Sequence, residues 1–164
     1  MSRYGGGMRV RVTQREVQPQ GWRGTLRAMA NPRRLRGTSF AGFTDRSGSS
    51  EDGEPVVDYM IHNEEGTATI PERPFMSQAY QAHLDEYERR MDAGALAVAE
   101  GRQAARQVLA PLARDARNHI IREILSPSVP FEPNAPATVA AKGSSRPLVD
   151  TGLAVGRVVW EVED

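Results

Sequence analysis

Cysteine is absent from this chain of 164 residues, and lysine occurs only once, at Lys142. Without cysteine the chain can form neither disulfides nor metal sites with thiolate ligands. It has no apolar run near the length of about 20 residues that a membrane span requires, and its first residues lack the apolar segment of a signal peptide. We therefore expect a protein that is made and kept in the cytosol and does not enter a membrane.

Apolar residues are few for a chain of this size. Hydrophobic residues make up 39% and aromatic residues 6% of the sequence, which also contains 15 Gly and 11 Pro. The length fits one domain, residues 1–164, with a core of its own. Because a lean core often gains stability from partner subunits, the composition favours a single domain that associates with other chains.

The chain carries no net charge, yet its charges are segregated along the sequence. Residues 1–50 contain ten Arg and only two acids, whereas residues 51–100 contain twelve acids and three Arg. This pattern is typical either of a nucleic-acid footprint or of complementary surfaces that meet within the fold or between copies. Specific nucleic-acid binders usually also have net positive charge, which favours the second interpretation. Arg33, Arg34 and Arg36 are the candidate interface residues.

The longest helical pattern covers residues 102–125, and the rest of the chain is organised around it. Its apolar residues recur at steps of three and four, which places them on one stripe that must be buried. The members of this stripe are Ala105, Val108, Leu109, Leu112, Ala116, Ile120 and Ile124. Pro111 lies inside the pattern, where it removes a backbone donor and clashes with the preceding turn. We therefore expect a kink, or a junction between two helices, near Leu109 and Ala110.

Shorter patterns predict the remaining elements. Alternation of apolar residues predicts strands at Met8–Val17, Arg34–Phe43 and Val158–Val162. Helical spacing predicts helices at Gly21–Ala30, Val56–Gly66, Met76–Met91 and Ala137–Ala141, with breaks permitted at Gly94 and Gly101, and a last short helix capped by Asp150 or Thr151. Strands and helices do not alternate in a repeating unit. The sequence therefore predicts an α+β fold, in which helices cover one face of a small antiparallel sheet and the kinked amphipathic helix forms the core.

Three connections have distinct compositions. Residues 44–55 are mostly Ser, Gly, Asp and Glu, which bury too little apolar surface to offset the entropy of ordering, so we expect a mobile loop there. Ser126–Pro136 contains four prolines and predicts a defined loop without regular structure. Ile70–Phe75 contains Pro71 and Pro74 and must be extended.

No catalytic, cofactor-binding or metal-ligating residues emerge from the sequence. The three histidines are isolated and have no partner at a metal-binding spacing. The stretch from Lys142 to Ser145 has its Gly and Lys in the wrong order for a phosphate-binding loop, and residues 37–41 lack the second Gly of a nucleophile elbow. We therefore expect a protein that is not an enzyme and holds no cofactor.

Two stretches of sequence together carry a resemblance to a known family. Residues 61–66, I-H-N-E-E-G, followed by residues 70–75, I-P-E-R-P-F, resemble the "I-N-E-x-G … I-P-x-R-P-F" signature of tailed-phage neck and tail-completion proteins. Residues 136–152, P-A-T-V-A-A-K-G-S-S-R-P-L-V-D-T-G, are similar to the "P-x-T-x-x-x-K-G-S-x-x-P-L-x-D-T-G" stretch of the same family. The family includes the HK97 gp10-like and Mu-like virion morphogenesis proteins. The likeness covers residues 56–162.

The motif residues also have a structural interpretation. Pro71 and Pro74 fix an extended entry into a helix, Phe75 anchors it, and Asp150 caps a later helix. We therefore expect these residues to maintain the fold. The structural motif comprises Ile70, Pro71, Arg73, Pro74, Phe75, Lys142, Gly143, Pro147, Leu148, Asp150, Thr151 and Gly152.

The resemblance implies a structural virion protein that joins the DNA-filled head to the tail. The implied assembly is a ring of copies of this chain, with six copies expected. Its implied partners are the neighbouring head-tail connector or stopper proteins and tail-tube proteins, with genomic DNA passing through the lumen. The implied locations are the virion neck and, during assembly, the host cytoplasm. A ring repeats one contact between two different surfaces of the subunit, which suits a basic N-terminal third and an acidic middle.

Two other functions remain open from the sequence. A DNA-binding accessory protein would use the Arg-rich N-terminal third and would bind with strong salt dependence. A hydrolase would require His83 or His119 to meet an acid in a pocket.

Overall fold

A computed structural model describes residues 7–12, 37–50, 53–149 and 152–163. The elements in chain order are β1 (Gly7–Val12), β2 (Gly37–Gly42), a 3-10 helix (Asp45–Ser47), α1 (Val56–Glu65), α2 (Phe75–Ala99), α3 (Ala105–Leu125), α4 (Pro136–Lys142), α5 (Leu153–Arg157) and β3 (Val159–Glu163). The predicted helix at Gly21–Ala30 and the candidate interface residues Arg33, Arg34 and Arg36 lie outside the described residues.

The three strands form one sheet in the order β1-β2-β3. Gly37, which begins β2, lies beside the carbonyl of Glu163, which ends β3, so these two strands run antiparallel. Trp160 in β3 remains 39% exposed, although its apolar alternation with Val158 and Val162 predicted a shared face. The predicted α+β class with a small antiparallel sheet is confirmed.

The described residues divide into two compact units. Of the described residues, unit 1 contains 7–8, 41–50, 53–82, 116–149 and 152–159, and unit 2 contains 9–12, 37–40, 83–115 and 160–163. The core of unit 1 includes Phe43, Val56, Met60, Phe75, Ile120 and Ile124. The core of unit 2 includes Phe40, Tyr87, Ala97, Val98, Leu109 and Leu112. The single domain expected for residues 1–164 stays a prediction.

Helix α3 follows the predicted stripe closely. Leu109, Leu112, Ala116, Ile120 and Ile124 are buried, whereas Ala105 and Val108 are half-buried. The helix is continuous through Pro111, so the expected junction between two helices is wrong, and the alternative, a kink near Leu109 and Ala110, stays a prediction. The carbonyl that loses its partner through Pro111 belongs to the exposed Gln107, where water can hydrate it.

Helix α2 is longer than its sequence pattern predicted. It continues past Met91 to Ala99, and Gly94 lies inside it instead of breaking it. A Cβ atom at Gly94 would overlap Cγ1 of Val108 and lie 3.1 Å from Cβ of the same residue. Gly94 therefore serves close packing of α2 on α3 within unit 2, and Gly101, at φ 73°, is where the chain turns between them.

Residues 44–50 are ordered by hydrogen bonds that composition did not predict. The Thr44 hydroxyl accepts from the Arg46 amide at 3.1 Å, and the Ser47 hydroxyl accepts from the Thr44 amide at 3.1 Å. These bonds form a capping box for the 3-10 helix. Ser47 is fully buried and donates to the backbone carbonyl of Arg157 at 2.9 Å. The segment thus has a defined structure, while the mobility expected for residues 44–55 stays a prediction.

The remaining helix boundaries agree with most of the sequence-based expectations. Helix α1 ends before Gly66, which has φ 71°. Residues 71–74 have no regular secondary structure, whereas Phe75, which was predicted to be in the extended segment, begins α2. Helix α4 begins at Pro136 and ends before Gly143 in the left-handed conformation. Helix α5 is capped by Gly152 without a side-chain hydrogen bond, so the prediction that Asp150 or Thr151 would be its N-cap is wrong.

Candidate functional site

The two motif stretches meet in unit 1 around the side chain of Arg73, which is only 5% exposed. Its Nε donates to the backbone carbonyl of Glu132 at 3.2 Å. Its Nη1 donates to Asn63 Oδ1 at 2.8 Å, and its Nη2 donates to Asn134 Oδ1 at 3.1 Å. The guanidinium therefore joins the end of α1 to the proline-rich loop between α3 and α4. We call Arg73, Asn63 and Asn134 the Arg73 cluster.

The backbone brings Arg73 to this position. Its amide donates to the carbonyl of Asn63 at 2.7 Å, and the Asn63 side-chain amide donates to the carbonyl of Tyr59, one turn earlier in α1, at 2.9 Å. Pro71 and Pro74 hold the segment around Arg73 extended because proline fixes φ and restricts the residue before it. Asn63 is itself buried. The side-chain amide of Asn63 thus uses both of its polar groups inside unit 1, since Oδ1 accepts from Arg73 and Nδ2 donates to the Tyr59 carbonyl.

Glu64, next to Asn63, caps the start of α2. Its carboxylate accepts from the amides of Met76 at 2.8 Å and Ser77 at 2.9 Å, and from the Ser77 hydroxyl at 2.6 Å. A carboxylate at a helix N-terminus satisfies unpaired amides and interacts favourably with the helix dipole. The adjacent Phe75 is fully buried and meets the ring of Phe43 edge to face, with centroids 6.1 Å apart. Residues of the first motif stretch therefore cap and anchor the N-terminus of α2.

The second motif stretch is bonded to the first through Asn134 and Arg146. The Asn134 side-chain amide donates to the Arg146 carbonyl at 3.3 Å, and Arg146 Nη2 donates to the carbonyl of Leu125 at 2.8 Å. The Ser144 hydroxyl accepts from the Arg146 amide at 3.2 Å and donates to the Val149 carbonyl at 3.1 Å. These bonds close the turn that follows α4 and dock it beside the Arg73 cluster.

Leu148 in this turn has an unusual backbone conformation. Its φ is 61°, the one positive value outside glycine among the described residues. A left-handed conformation costs an L-residue roughly 1 to 2 kcal/mol. The side chain of Leu148 is 8% exposed, so burial of its apolar surface offsets part of this cost.

A cavity of about 210 Å³ lies between the two motif stretches, and we call it the Arg73 cavity. It is partly open to solvent, and polar and apolar groups contribute to its walls in similar proportion. Residues that line it are Tyr59, Asn63, Thr69, Ile70, Pro71, Arg73, Asn134, Ala135, Thr138, Ser144, Arg146 and Leu148. Both Arg73 and Arg146 line this cavity, and the lining set contains no acidic side chain.

The three hydrogen-bond acceptors of Arg73 are neutral oxygens, and the Glu132 carboxylate acts on its charge without forming an ion pair with it. Burial lowers the pKa of Arg73, and only the more distant Tyr59 and Glu132 act in the opposite direction. Neither Arg73 nor Arg146 forms an ion pair with a described carboxylate. An arginine stays protonated in such surroundings because its ordinary pKa is very high. The cavity wall therefore carries a buried positive charge.

The predicted motif residues do not all share one location. Ile70, Pro71, Arg73 and Leu148 line the Arg73 cavity, while Phe75 lies in the core of unit 1. Gly143 ends α4 and Gly152 begins α5. Pro74 and Pro147 are half-buried. Asp150, Thr151 and the side chain of Lys142 lie outside the described residues, as do Arg33, Arg34 and Arg36.

Sequence reasoning missed both asparagines of the Arg73 cluster as site residues. Asn63 stands on the apolar side of an amphipathic helix beside Met60, which is one signal of a buried polar group with a dedicated partner. Asn134 lies in a proline-rich loop and gave no comparable signal. Elsewhere, His83 Nδ1 lies 3.5 Å from Glu86 Oε2 one turn along α2, and neither residue lines the Arg73 cavity. The absence of a catalytic, metal or cofactor site stays a prediction.

Compared with protein-family models, with curated proteins and with solved structures, the chain matches none of them. The likeness to phage neck proteins consequently depends on the motif residues themselves. In the part of the chain that the structure describes, no helix is both long enough and apolar enough to cross a membrane.

Proposed function

We propose that this chain is a structural protein of the neck that joins head to tail in a tailed-phage virion. It acts as one subunit of a ring of copies, with six copies expected, that connects the capsid connector to the tail. The observation that carries the proposal is that Asn134, between the two motif stretches in sequence, links them: it accepts from Arg73 of the first stretch and donates to the carbonyl of Arg146 in the second. Motif residues that resemble a family's signature, and that also depend on one another in space, support a shared fold.

The chemistry of the motif residues agrees with a structural role. Glu64 caps a helix, Arg73 ties two segments together, and Phe75 fills the core of unit 1. Each of these tasks is carried out by contacts within the chain itself. The segregated charge of the sequence supplies what a ring requires, namely two different surfaces that can meet between adjacent copies.

Native mass spectrometry of the purified chain, alone and mixed with its neighbouring virion proteins, tests this proposal. We expect a closed complex of six copies of the 18.0 kDa chain in at least the mixture. A chain that remains a monomer in both samples would contradict the ring.

A DNA-binding accessory protein is the second candidate. The ten Arg among residues 1–50 favour it, because clustered cations neutralise phosphates and release counterions. Titration with duplex DNA at two salt concentrations distinguishes this function from the first. Binding that weakens steeply with salt, in a chain that never forms rings, would replace the neck proposal.

A further inference from the structure

Buried charges in proteins are normally paired at short range, whereas the Arg73 guanidinium has no ion-pair partner among the described residues and the Glu132 carboxylate acts on it only beyond ion-pair distance. It is 5% exposed and meets three neutral oxygens, from Asn63, Asn134 and the backbone of Glu132. Arginine has five N–H donors, so two of them are unused among the described residues. Neutral acceptors satisfy hydrogen bonds but do not neutralise the charge, which leaves a site that attracts an anion.

The surroundings of Arg73 provide room for such an anion. The Arg73 cavity has a volume of about 210 Å³ and is lined by a second guanidinium, that of Arg146. Arg146 spends one N–H bond on the Leu125 carbonyl and likewise has no described carboxylate partner. Thr138 also lines the cavity, whereas the hydroxyl proton of Ser144 is already donated to the Val149 carbonyl. Two guanidiniums that line one cavity are a combination that recognises oxyanions through charge-assisted hydrogen bonds.

The size and the apolar part of the cavity restrict the anion further. Sites for small-molecule ligands usually have volumes of about 300 to 1,000 Å³, so this cavity fits a single amino-acid side chain better than a cofactor. Ile70, Pro71, Ala135 and Leu148 offer apolar contacts that suit methylene groups. A glutamate side chain supplies methylenes followed by a carboxylate, whereas a nucleic-acid phosphate is flanked by sugars and has no such stem.

We propose that the Arg73 cavity binds the carboxylate of an acidic side chain, most suitably glutamate, presented by another protein molecule. Arg73 supplies the buried charge and Arg146 the outer one. The site goes beyond the neck function and does not depend on it, because it follows from the charge, the volume and the lining of the cavity alone.

Nuclear magnetic resonance titration with a small probe tests the site on the intact chain. The probe is glutamate with both its amino and its α-carboxyl group capped, and the matched neutral ligand is the same compound made from glutamine. We expect the amide signals of Thr69, Thr138 and Ser144 to shift with capped glutamate and the affinity for capped glutamine to be at least about tenfold weaker. Equal affinity for the two ligands, or shifts confined to other residues, would overturn the proposal.

Two variants and one further ligand sharpen the result. Arg146→Gln removes the exposed guanidinium and should weaken capped-glutamate binding about tenfold, while Arg122→Gln, at an exposed position of α3 outside the cavity, should leave it unchanged. An unchanged affinity in Arg146→Gln would refute the role of the cavity. Inorganic phosphate that binds more tightly than capped glutamate would refute the assignment to a carboxylate. Failure of ring formation would affect only the neck proposal, since this titration needs no assembly.

Discussion

Arg73 combines two tasks that usually fall to different residues. Its side chain stabilises unit 1 by joining α1 to the loop after α3, and the same side chain leaves positive charge on a cavity wall. Lysine could not do the first task, because a single ammonium group cannot direct planar donors at three separated oxygens. This geometry explains why the residue at this position must be an arginine.

Removing the Arg73 side chain should be costly. Arg73→Ala leaves Asn63 Oδ1, Asn134 Oδ1 and the Glu132 carbonyl without their donor, and Asn63 is buried, so we expect a loss of about 1 to 3 kcal/mol in the free energy of unfolding. Arg73→Lys should lose at least about 1 kcal/mol. Urea denaturation measures both, with Arg122→Ala as an exposed control. A loss of less than about 1 kcal/mol in Arg73→Ala would mean that the cluster does not stabilise unit 1.

Tyr87 makes the stability of the chain sensitive to alkaline pH. Its side chain is 4% exposed, and burial raises the pKa of its hydroxyl well above the usual value of 10.0, with Glu86 and Asp115 adding to the shift. Because the folded pKa exceeds the unfolded one, the contribution of Tyr87 is complete below pH 10 and is lost as the pH rises further.

We therefore expect the wild-type free energy of unfolding to fall above pH 10 more steeply than that of Tyr87→Phe. Denaturation curves at a series of alkaline pH values provide the measurement. Tyr80→Phe is the control, since Tyr80 is only half-buried. Parallel pH profiles for the wild type and Tyr87→Phe would show that Tyr87 ionises equally well in both states.

The contact between α2 and α3 in unit 2 depends on a glycine. Alanine normally favours a helix over glycine by about 1 kcal/mol, yet at Gly94 the added methyl group would overlap Val108. We expect Gly94→Ala to destabilise the chain by about 1 to 3 kcal/mol and Val108→Ala to recover part of this loss in the double variant.

Gly156→Ala is the matched control for this prediction. Gly156 also lies in a helix, α5, but a Cβ atom there would meet nothing within 4 Å, so this variant should be neutral or stabilising. Thermal unfolding of the wild type, Gly94→Ala, Val108→Ala, the double variant and Gly156→Ala provides the comparison. A stabilised Gly94→Ala variant would show that α2 and α3 do not pack closely at this position.

For the segment after β2, the composition indicates a mobile loop, whereas the hydrogen bonds indicate an ordered one, and an experiment can distinguish the two. The amides of Thr44, Ser47 and Val56 donate to Ser47 Oγ, the Thr44 carbonyl and the Gly48 carbonyl. We expect these three amides to exchange slowly with solvent, in contrast to the mobility that the sequence indicates. Nuclear magnetic resonance measures the hydrogen-exchange rates of these three amides, and the amide of the exposed Asp45 serves as a reference that is expected to exchange fast. Rapid exchange at all four amides would favour the sequence-based expectation.

The boundaries of α1, α3 and α4 could be predicted because each rests on local features: apolar spacing, and glycines such as Gly66 and Gly143 just past a helix end. The course of α2 could not, since Gly94 looks like a helix breaker until its close approach to Val108 is known. Glu123 shows the same limitation. It falls outside the apolar stripe of α3, yet it is buried and accepts bonds from the Ser128 amide and hydroxyl at 2.6 and 2.7 Å.

The candidate site was predictable only in its motif residues. Pro71, Arg73 and Pro74 could be singled out because prolines constrain the backbone locally and because the stretch resembles a family signature. The partners of Arg73 could not be found this way, since Asn134 is distant in sequence and pairing between distant polar groups leaves no periodic pattern. A polar residue in a loop, such as Asn134, can be identified as a hydrogen-bond partner only from the structure.

At the scale of the whole molecule, a ring requires two unlike surfaces that meet between adjacent copies. The basic first third and the acidic middle of the sequence provide opposite charges for such a contact. Changing Arg33, Arg34 and Arg36 together to Glu should therefore block ring formation, because like charges opposed at an interface cost several kcal/mol. Stability of the subunit should change little if these residues are at its surface.

Sedimentation and a DNA titration on this triple variant separate the two explanations of the arginine cluster. Loss of rings with an unchanged unfolding transition supports a contact between copies. Intact rings with reduced, salt-sensitive DNA affinity support phosphate binding instead. If rings and DNA binding are both unchanged, neither explanation of the charge segregation holds.

The most direct test of the neck function is the position of the chain in a particle. Purified virions can be labelled with a gold-conjugated antibody against the chain and imaged by electron microscopy. The account predicts gold at the junction between head and tail, in keeping with one ring per particle. Gold on the capsid shell or along the tail, or particles that lack the chain altogether, would contradict it.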